Sequence, residues 1–350
     1  DGAPAVFAGI DPNDGKFFVA KKGIFNKNPK VYKSVKDVKA DTKGDLAKKL
    51  TVAFQELKKL GIKKGVYQGD IMFTKPDLKT QTIDGKKYVT FHPNTIVYAV
   101  PEEAATEIKR AKIGVVWHTY YSGTTFENMT ASFGVTIGAF KNVRTIWQKS
   151  ANLPDISGLA TLTKKETDEI TKHISNAGKL FQKISSSTLK DVAGNSDINL
   201  FVNTFRNTKV RAQDEVTDSE AYVEELIGWI ENRYNTEKER LKSDAGKDRK
   251  EEAKLAALEF FSDDNRDGLV NMFDMQNELV LAKKKLLTHL DSMDSINTFI
   301  KTKDGFKVTG AEGYVAIDHL TNGAVKIVDR MEFSYNNFSK DIIKGWESGS

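Results

Sequence analysis

The sequence predicts an α+β fold with a large helical insertion, and three observations predict it. The first third alternates apolar and polar residues in short runs broken by tight-turn dipeptides, the pattern of antiparallel strands. After about residue 135 the pattern changes to helical spacing and mixed charge. Strand alternation then returns at 306–329. The expected organisation is a β-rich domain at 1–135 plus 303–350, divided by a helical insertion at 136–302. The strict βαβ alternation of a doubly wound sheet is absent from the pattern.

Residues 3–9 and 16–21 read as strands joined by 11–15, a turn by its Asp, Pro, Asn and Gly content. Leu46, Leu50, Ala53, Leu57 and Leu60 recur at helical spacing, with Gly61 placed to cap that helix. Strands follow at 65–74, 87–91, 95–100 and 112–120, with turns at Asp84-Gly85 and His92-Pro93-Asn94. Helical periodicity marks 156–182 and 216–300, where Thr217 and Glu220 form a capping box ahead of Tyr222, Val223, Leu226, Ile227 and Ile230. The polar stretch 184–198 reads as a linker, and the charged stretch 237–252 as a solvated helix or loop. Residues 312–329 read as a β-hairpin turning at Asn322-Gly323, with Tyr314, Ala316 and Asp318 on one face and Val315 and Ile317 on the other. A short helix is expected at 338–346.

Composition narrows the function. The chain has 350 residues, 39% of them hydrophobic and 29% charged, as expected of a soluble globular protein with a substantial core. No apolar run approaches the about 18 residues that span a bilayer, and the opening residues lack the basic-then-apolar order of a signal peptide. The absence of cysteine excludes disulfides, thiol catalysis and Cys-type zinc sites, and fits a cytoplasmic location, the host cell's cytoplasm if the protein is viral. The net charge of +5 does not by itself argue for nucleic acid.

Four stretches, taken in order, carry a resemblance. They are Asp1-Gly2, Gly65-Val66-Tyr67-Gln68-Gly69-Asp70, Glu312-Gly313-Tyr314-Val315, and Ala324-Val325-Lys326-Ile327-Val328. Their order resembles that of the covalent nucleotidyltransferase superfamily, which comprises ATP-dependent DNA ligases, RNA ligases and capping enzymes. That family has Lys-x-Asp-Gly, a Gly-Glu pair on a strand, Glu-Gly-Tyr/Leu-Val, and a strand with one or two lysines. The stretches 1–10, 91–101 and 322–333 are similar in wording to proteins of large tailed phages that infect marine cyanobacteria. The resemblance spans about 1–125 and 303–345.

The resemblance implies a ligase-type nucleotidyltransferase with ATP-grasp-like antiparallel sheets, ATP and Mg2+ as cofactors, and an RNA or DNA end as acceptor. In that chemistry a lysine amine attacks the α-phosphorus of ATP, releases pyrophosphate and passes AMP to the acceptor. An amine attacks only when deprotonated, so such sites lower its pKa with neighbouring cations and partial desolvation. Lysines and a divalent metal offset the charge building on phosphoryl oxygens, and carboxylates hold the metal.

By the same resemblance Lys326 contacts the α-phosphate, and Glu312 supports the metal or its water shell. Asp70 replaces the strand glutamate as the second catalytic and metal-facing carboxylate. Asp1 and Gly2 belong to the nucleotide-binding opening motif. Lys22 takes a position where ligases often carry arginine, and Tyr98 is the candidate aromatic for the base. Glu312, Lys326, Asp70 and Lys22 are therefore expected to converge on one pocket.

Two departures leave a second reading open. The nucleophilic lysine is expected two places before Asp1, outside this chain, and Val328 stands where a second strand lysine is expected. The segment after Val328 is too short for an oligonucleotide-binding barrel, which is nearer the RNA-ligase layout. The second reading is a non-catalytic nucleotide-fold protein, a binding or structural phage component acting through its helical insertion.

Competing motifs are weaker. Residues 263–274 match a calcium loop except that Asp274 replaces the final glutamate and Arg266 adds a positive charge, so a helix-linking turn without tight calcium binding is expected. The five histidines show no zinc spacing, and there is no phosphate-binding P-loop or nucleophile elbow.

Overall fold

The chain enters its first sheet at β1 (Ala5–Ile10) and returns in β2 (Phe17–Ala20). Between them Asp11 Oδ1 accepts a hydrogen bond from Asn13 N at 2.8 Å, and Gly15 takes a left-handed φ of 69°. This is a computed structural model that describes residues 4–151, 161–261, 263–292, 297–310, 313–318, 321 and 323–345. β3 (Val31–Tyr32) leads to α1 (Val35–Asp41), which Ser34 caps, and to α2 (Gly44–Leu57). A short 3-10 turn extends α2 to Leu60, where Gly61 at φ 70° ends it as its position predicts.

The chain continues through β4 (Val66–Thr74), β5 (Lys79–Ile83) and β6 (Lys86–Phe91). Asp84 and Gly85 both have positive φ in the two-residue turn that joins β5 to β6. Then come β7 (Ile96–Pro101), α3 (Thr106–Arg110), β8 (Ile113–Ser122), β9 (Thr130–Phe133) and β10 (Ile146–Ser150).

Helices follow: α4 (Lys164–Phe181), α5 (Ser186–Gly194), α6 (Ser196–Arg211), α7 (Ser219–Glu239), α8 (Asp244–Glu259) and α9 (Asp263–Asp291). Strands return as β11 (Asn297–Thr302), β12 (Gly305–Val308), β13 (Tyr314–Asp318) and β14 (Gly323–Ile327), before α10 (Arg330–Phe338).

These elements fall into two units. The β-rich unit takes in Asp1–Gly158, Met293–Ile327 and Ser339–Ser350; the helical unit takes in Leu159–Ser292 and Val328–Phe338. These limits differ from the expected 135 and 303. β10 pairs in parallel with β8, and β11 pairs antiparallel with β7, so both strands belong to the β-rich unit. α10 packs on α6, with Arg211 4.9 Å from the Phe338 ring centre, which places it in the helical unit.

In the β-rich unit one sheet has the order β10-β8-β4-β1-β2-β3, and β9 also pairs with β8, at Thr119–Ser122, beyond the Ile113–Trp117 stretch that pairs with β10. One of its faces buries Val6, Ala8, Ile71, Val115 and Trp117 against Val38, Leu50 and Leu57 of α1 and α2. Fully burying side chains of this size contributes about 1.5–3 kcal/mol each. A second sheet runs β12-β11-β7-β6-β5. Met72, Phe73 and Trp147 of the first sheet meet Val89 and Phe91 of the second, together with Ile108 of α3. β13 and β14 form a two-stranded sheet of their own, with Tyr314 opposite Ile327 and Val315 opposite Lys326. The expected turn residue Asn322 lies outside the described residues.

In the helical unit Phe201, Phe205, Tyr222, Val223, Leu226, Ile230, Leu269 and Phe273 form the core. Several expectations change here, each for a local reason. The stretch read as a linker is helical, because its polar residues are caps: Ser185 accepts from Thr188 N, and Asn195 accepts from Asp197 N and Ile198 N. Asp218, not Thr217, caps α7, accepting from Glu220 N at 3.0 Å and Ala221 N at 3.1 Å. Residues 263–274 form the start of α9 instead of a turn, since Leu269, Met272 and Phe273 bury one helical face there. The last helix among the described residues is α10, ending at Phe338, where the sequence predicts one to begin. The charged stretch 237–252 runs from α7 into α8, a helix that buries none of its residues.

Candidate functional site on the open face of the first sheet

One face of the first sheet is covered by α1 and α2; the other buries two apolar clusters, Phe7, Phe18 and Val66 with Phe126 at one end and Phe73 with Phe91 at the other, and carries polar side chains between them. Phe7 lies opposite Gln68, and Ala5 opposite Asp70, so the alternation of β4 sets Gln68 and Asp70 on this second face. β8 supplies the rest through a bulge. Its register passes from Thr119 opposite Gln68 directly to Trp117 opposite Gly69, which leaves His118 as the extra residue.

The bulge brings two side chains toward β4. His118 Nδ1 lies 2.7 Å from Thr119 Oγ1, and His118 Nε2 lies 4.0 Å from Asp70 Oδ2. The Tyr121 hydroxyl donates to Gln68 Oε1 at 2.7 Å. At one end the Phe25 ring sits 4.7 Å from Tyr121 and 5.7 Å from Phe7. At the other end Val116, directly opposite Asp70, packs into the cluster that contains Phe91 and Tyr98. Those two rings stack at 5.5 Å with 12° between their planes.

Electrostatics fix the state of this floor at neutral pH. Burial pushes the His118 imidazole below its ordinary pKa, so the ring is neutral. Its 4.0 Å approach to Asp70 lies at the outer limit of an ion pair. Burial pushes Tyr121 up, keeping its hydroxyl protonated as a donor. The side chains of Asp70 and His118 are 36% and 31% exposed, so a ligand can reach them from solvent. A carboxylate, a neutral imidazole, an amide and hydroxyls beside stacked rings can accept and donate hydrogen bonds to a sugar or base edge.

The residues singled out by sequence are distributed as follows. Asp70 is paired with Val116, and Val116 and Tyr98 pack against the same apolar cluster. Lys22 is exposed at the start of the 3-10 turn Lys22–Phe25, whose Phe25 packs on Phe7 and Tyr121. Lys326 is exposed on β14, in the separate two-stranded sheet. Asp1, Gly2 and Glu312 lie outside the described residues.

Among the described residues no three His, Asp or Glu side chains gather to hold a metal. Mg2+ rarely has an all-protein cage, since it takes one or two carboxylates plus substrate phosphates and water. Asp70 fits that limited role. A cavity of the β-rich unit, about 350 Å³, is lined by Lys79, His92, Lys301 and Lys344, and none of the sequence-selected residues lines it.

The profile of one protein family matches residues 1–342. The chain belongs to DUF6267, a family of unknown function. No curated protein and no solved structure matches it. The DUF6267 match runs through both units, so the helical unit lies within the family's span. No helix among the described residues of this DUF6267 chain is long and apolar enough to cross a membrane.

Sequence reasoning missed Gln68, His118, Thr119 and Tyr121. Period-2 alternation from Asp70 points to Gln68. Nothing in the sequence marks the bulge that turns His118 toward Asp70.

Proposed function

We propose that the β-rich unit binds ATP on this open face and performs ligase-type nucleotidyl transfer, passing AMP to an RNA or DNA end. The observation that carries the reading is the floor of Gln68, Asp70, His118 and Thr119 beside the stacked Phe91–Tyr98 pair. In this reading Tyr98 borders the base, and Gln68 and neutral His118 hold hydroxyls. Lys22 and Lys326 face phosphate oxygens, and Asp70 with Glu312 faces Mg2+. The metal, when bound, supplies positive charge where negative charge develops on the phosphoryl group. The nucleophile is a lysine preceding Asp1.

Two experiments test this. Calorimetric titration with MgATP should show binding that Tyr98→Ala weakens about tenfold, the scale of a lost base–aromatic stack. Asp70→Asn should weaken it as well. A chain extended upstream of Asp1 should take up label from α-phosphate-labelled ATP, and Lys326→Ala should abolish the uptake. Absence of MgATP binding refutes the reading. Binding without labelling by the extended chain favours the second one, a non-catalytic nucleotide-binding or structural protein. One observation favours that alternative: the β14 residues Gly323, Ala324, Val325 and Lys326 are all exposed.

A further inference from the structure

The helical unit contains a cavity of about 330 Å³ between α6, α7, α9 and the start of α10. Five basic and three acidic side chains line it. Two of the cations are answered: Lys209 pairs with Asp214 at 2.6 Å and also with Glu225, and Lys284 pairs with Glu215 at 2.8 Å. Arg330 donates to the side-chain oxygen of Asn207. Half-buried Arg206 and Lys283 have no ion pair or hydrogen bond with any described residue.

The neighbouring acid, Asp329, forms no ion pair with either. Asp329 caps α10, its Oδ1 accepting from Met331 N at 2.9 Å and Glu332 N at 3.1 Å. Burial pushes both Arg206 and Lys283 below their ordinary pKa. Arg330 adds to this for both, and Arg206 adds to it for Lys283, while Asp329 opposes it at Lys283. On the wall Tyr222 is 5% exposed, and its buried hydroxyl has no hydrogen-bond partner among the described residues.

Like charges crowded beside an orphaned hydroxyl destabilise the empty cavity, since an unsatisfied buried polar group loses its hydration without gaining a partner. A bound anion offsets the repulsion between these cations and gives the hydroxyl an acceptor. Guanidinium and ammonium groups bind phosphate through charge-assisted hydrogen bonds, to which the phenol adds one donor. The excess of two basic over acidic residues suits a phosphate monoester, which carries about −1.5 to −2 at pH 7. Val210, Val216, Val280 and Leu281 line the remaining wall and suit an organic portion. The volume falls in the range of small-molecule sites, roughly 300–1,000 Å³.

We propose that this cavity binds a phosphorylated small molecule, with its phosphate on Arg206, Lys283 and the Tyr222 hydroxyl and its organic portion against the valine and leucine wall. The site lies wholly in the helical unit and does not rest on the nucleotidyl-transfer reading.

The test is calorimetric titration of the whole chain with phenyl phosphate, AMP, inorganic phosphate and benzoate. Phenyl phosphate or AMP should bind more tightly than inorganic phosphate, and benzoate at least tenfold more weakly than either ester. Arg206→Met and Lys283→Met should each weaken the ester tenfold or more. Neither methionine variant should melt below the wild type without ligand, because each removes an unanswered cation; this separates loss of a site from misfolding. Any one of three results overturns the proposal. The first is no ester binding with Kd below about 1 mM. The second is equal ester affinity in the wild type and both methionine variants. The third is benzoate binding as tightly as phenyl phosphate.

Discussion

His92 allows a quantitative test of how the β-rich unit responds to acid. It follows β6, and its Nε2 is buried without a hydrogen-bond partner among the described residues. Burial lowers its pKa from 6.5 to about 4; a hydrogen bond with the Thr95 backbone opposes this, and Lys301 and Lys79 add to it. The folded pKa is therefore depressed, and the unfolded chain takes up the proton first as pH falls. Stability is fully present above about pH 6.5, is lost between 6.5 and 4, and falls no further from this group below 4. A shift from 6.5 to about 4 corresponds to about 3 kcal/mol, and partial solvent access brings this to about 2–3 kcal/mol.

His118 titrates in the same direction, so the informative quantity is the difference between wild type and His92→Phe. The assay is urea unfolding from pH 7.5 to 4.5, followed by tryptophan fluorescence in a Trp229→Phe, Trp346→Phe background so that Trp117 and Trp147 of the β-rich unit report. Asp41, which hydrogen bonds from Lys30, Tyr32 and Lys21 hold well below the usual carboxylate range, loses its contribution only at lower pH. His92→Phe should lose about 2–3 kcal/mol less than wild type across the window. Equal losses in both proteins would refute the reasoning.

Two further outcomes concern stability. Lys49, its side chain 4% exposed, reaches Asp77 Oδ1 at 2.7 Å and Asp45 Oδ2 at 2.9 Å, so Lys49→Met strands a half-buried carboxylate. Asp77 still accepts from Thr74 N and Oγ1, which limits the expected loss to about 2–4 kcal/mol in urea unfolding; adding Asp77→Asn should restore part of it. Gly9→Ala would set a Cβ 2.4 Å from Gly65 O and 2.7 Å from Val66 Cα, backbone atoms that cannot rotate away. A loss of at least about 2 kcal/mol is expected, against little change for Gly138→Ala, whose added Cβ meets nothing within 4 Å.

Strands with a clear two-residue period were legible almost to the residue: 65–74 became Val66–Thr74, and 95–100 became Ile96–Pro101. Their pairing was not. Nothing local tells β10 to run parallel to β8, or β11 to choose the edge of β7, because both choices depend on residues far away in the chain. The misread linker shows the opposite difficulty, since Ser185 and Asn195 carry a loop's composition while acting as helix caps. In the site, Asp70 stood out through its motif, and Gln68 was within reach by alternation. His118 depends on one extra residue in β8, a feature of pairing that no single strand displays.

The interleaving of the two units also sets a timetable for synthesis. β7 gains its neighbour β11 only when the chain reaches Asn297–Thr302, roughly two hundred residues after Ile96–Pro101. At about 5–20 residues per second on the ribosome, that edge stands open for about 10–40 s. All of α4 to α9 emerges during the interval, yet the helical unit still waits for α10. An unpaired edge invites partners from other chains, so aggregation pressure on the nascent protein should centre on Ile96–Pro101. The length of the helical segment, more than anything within the sheet, decides how long that exposure lasts.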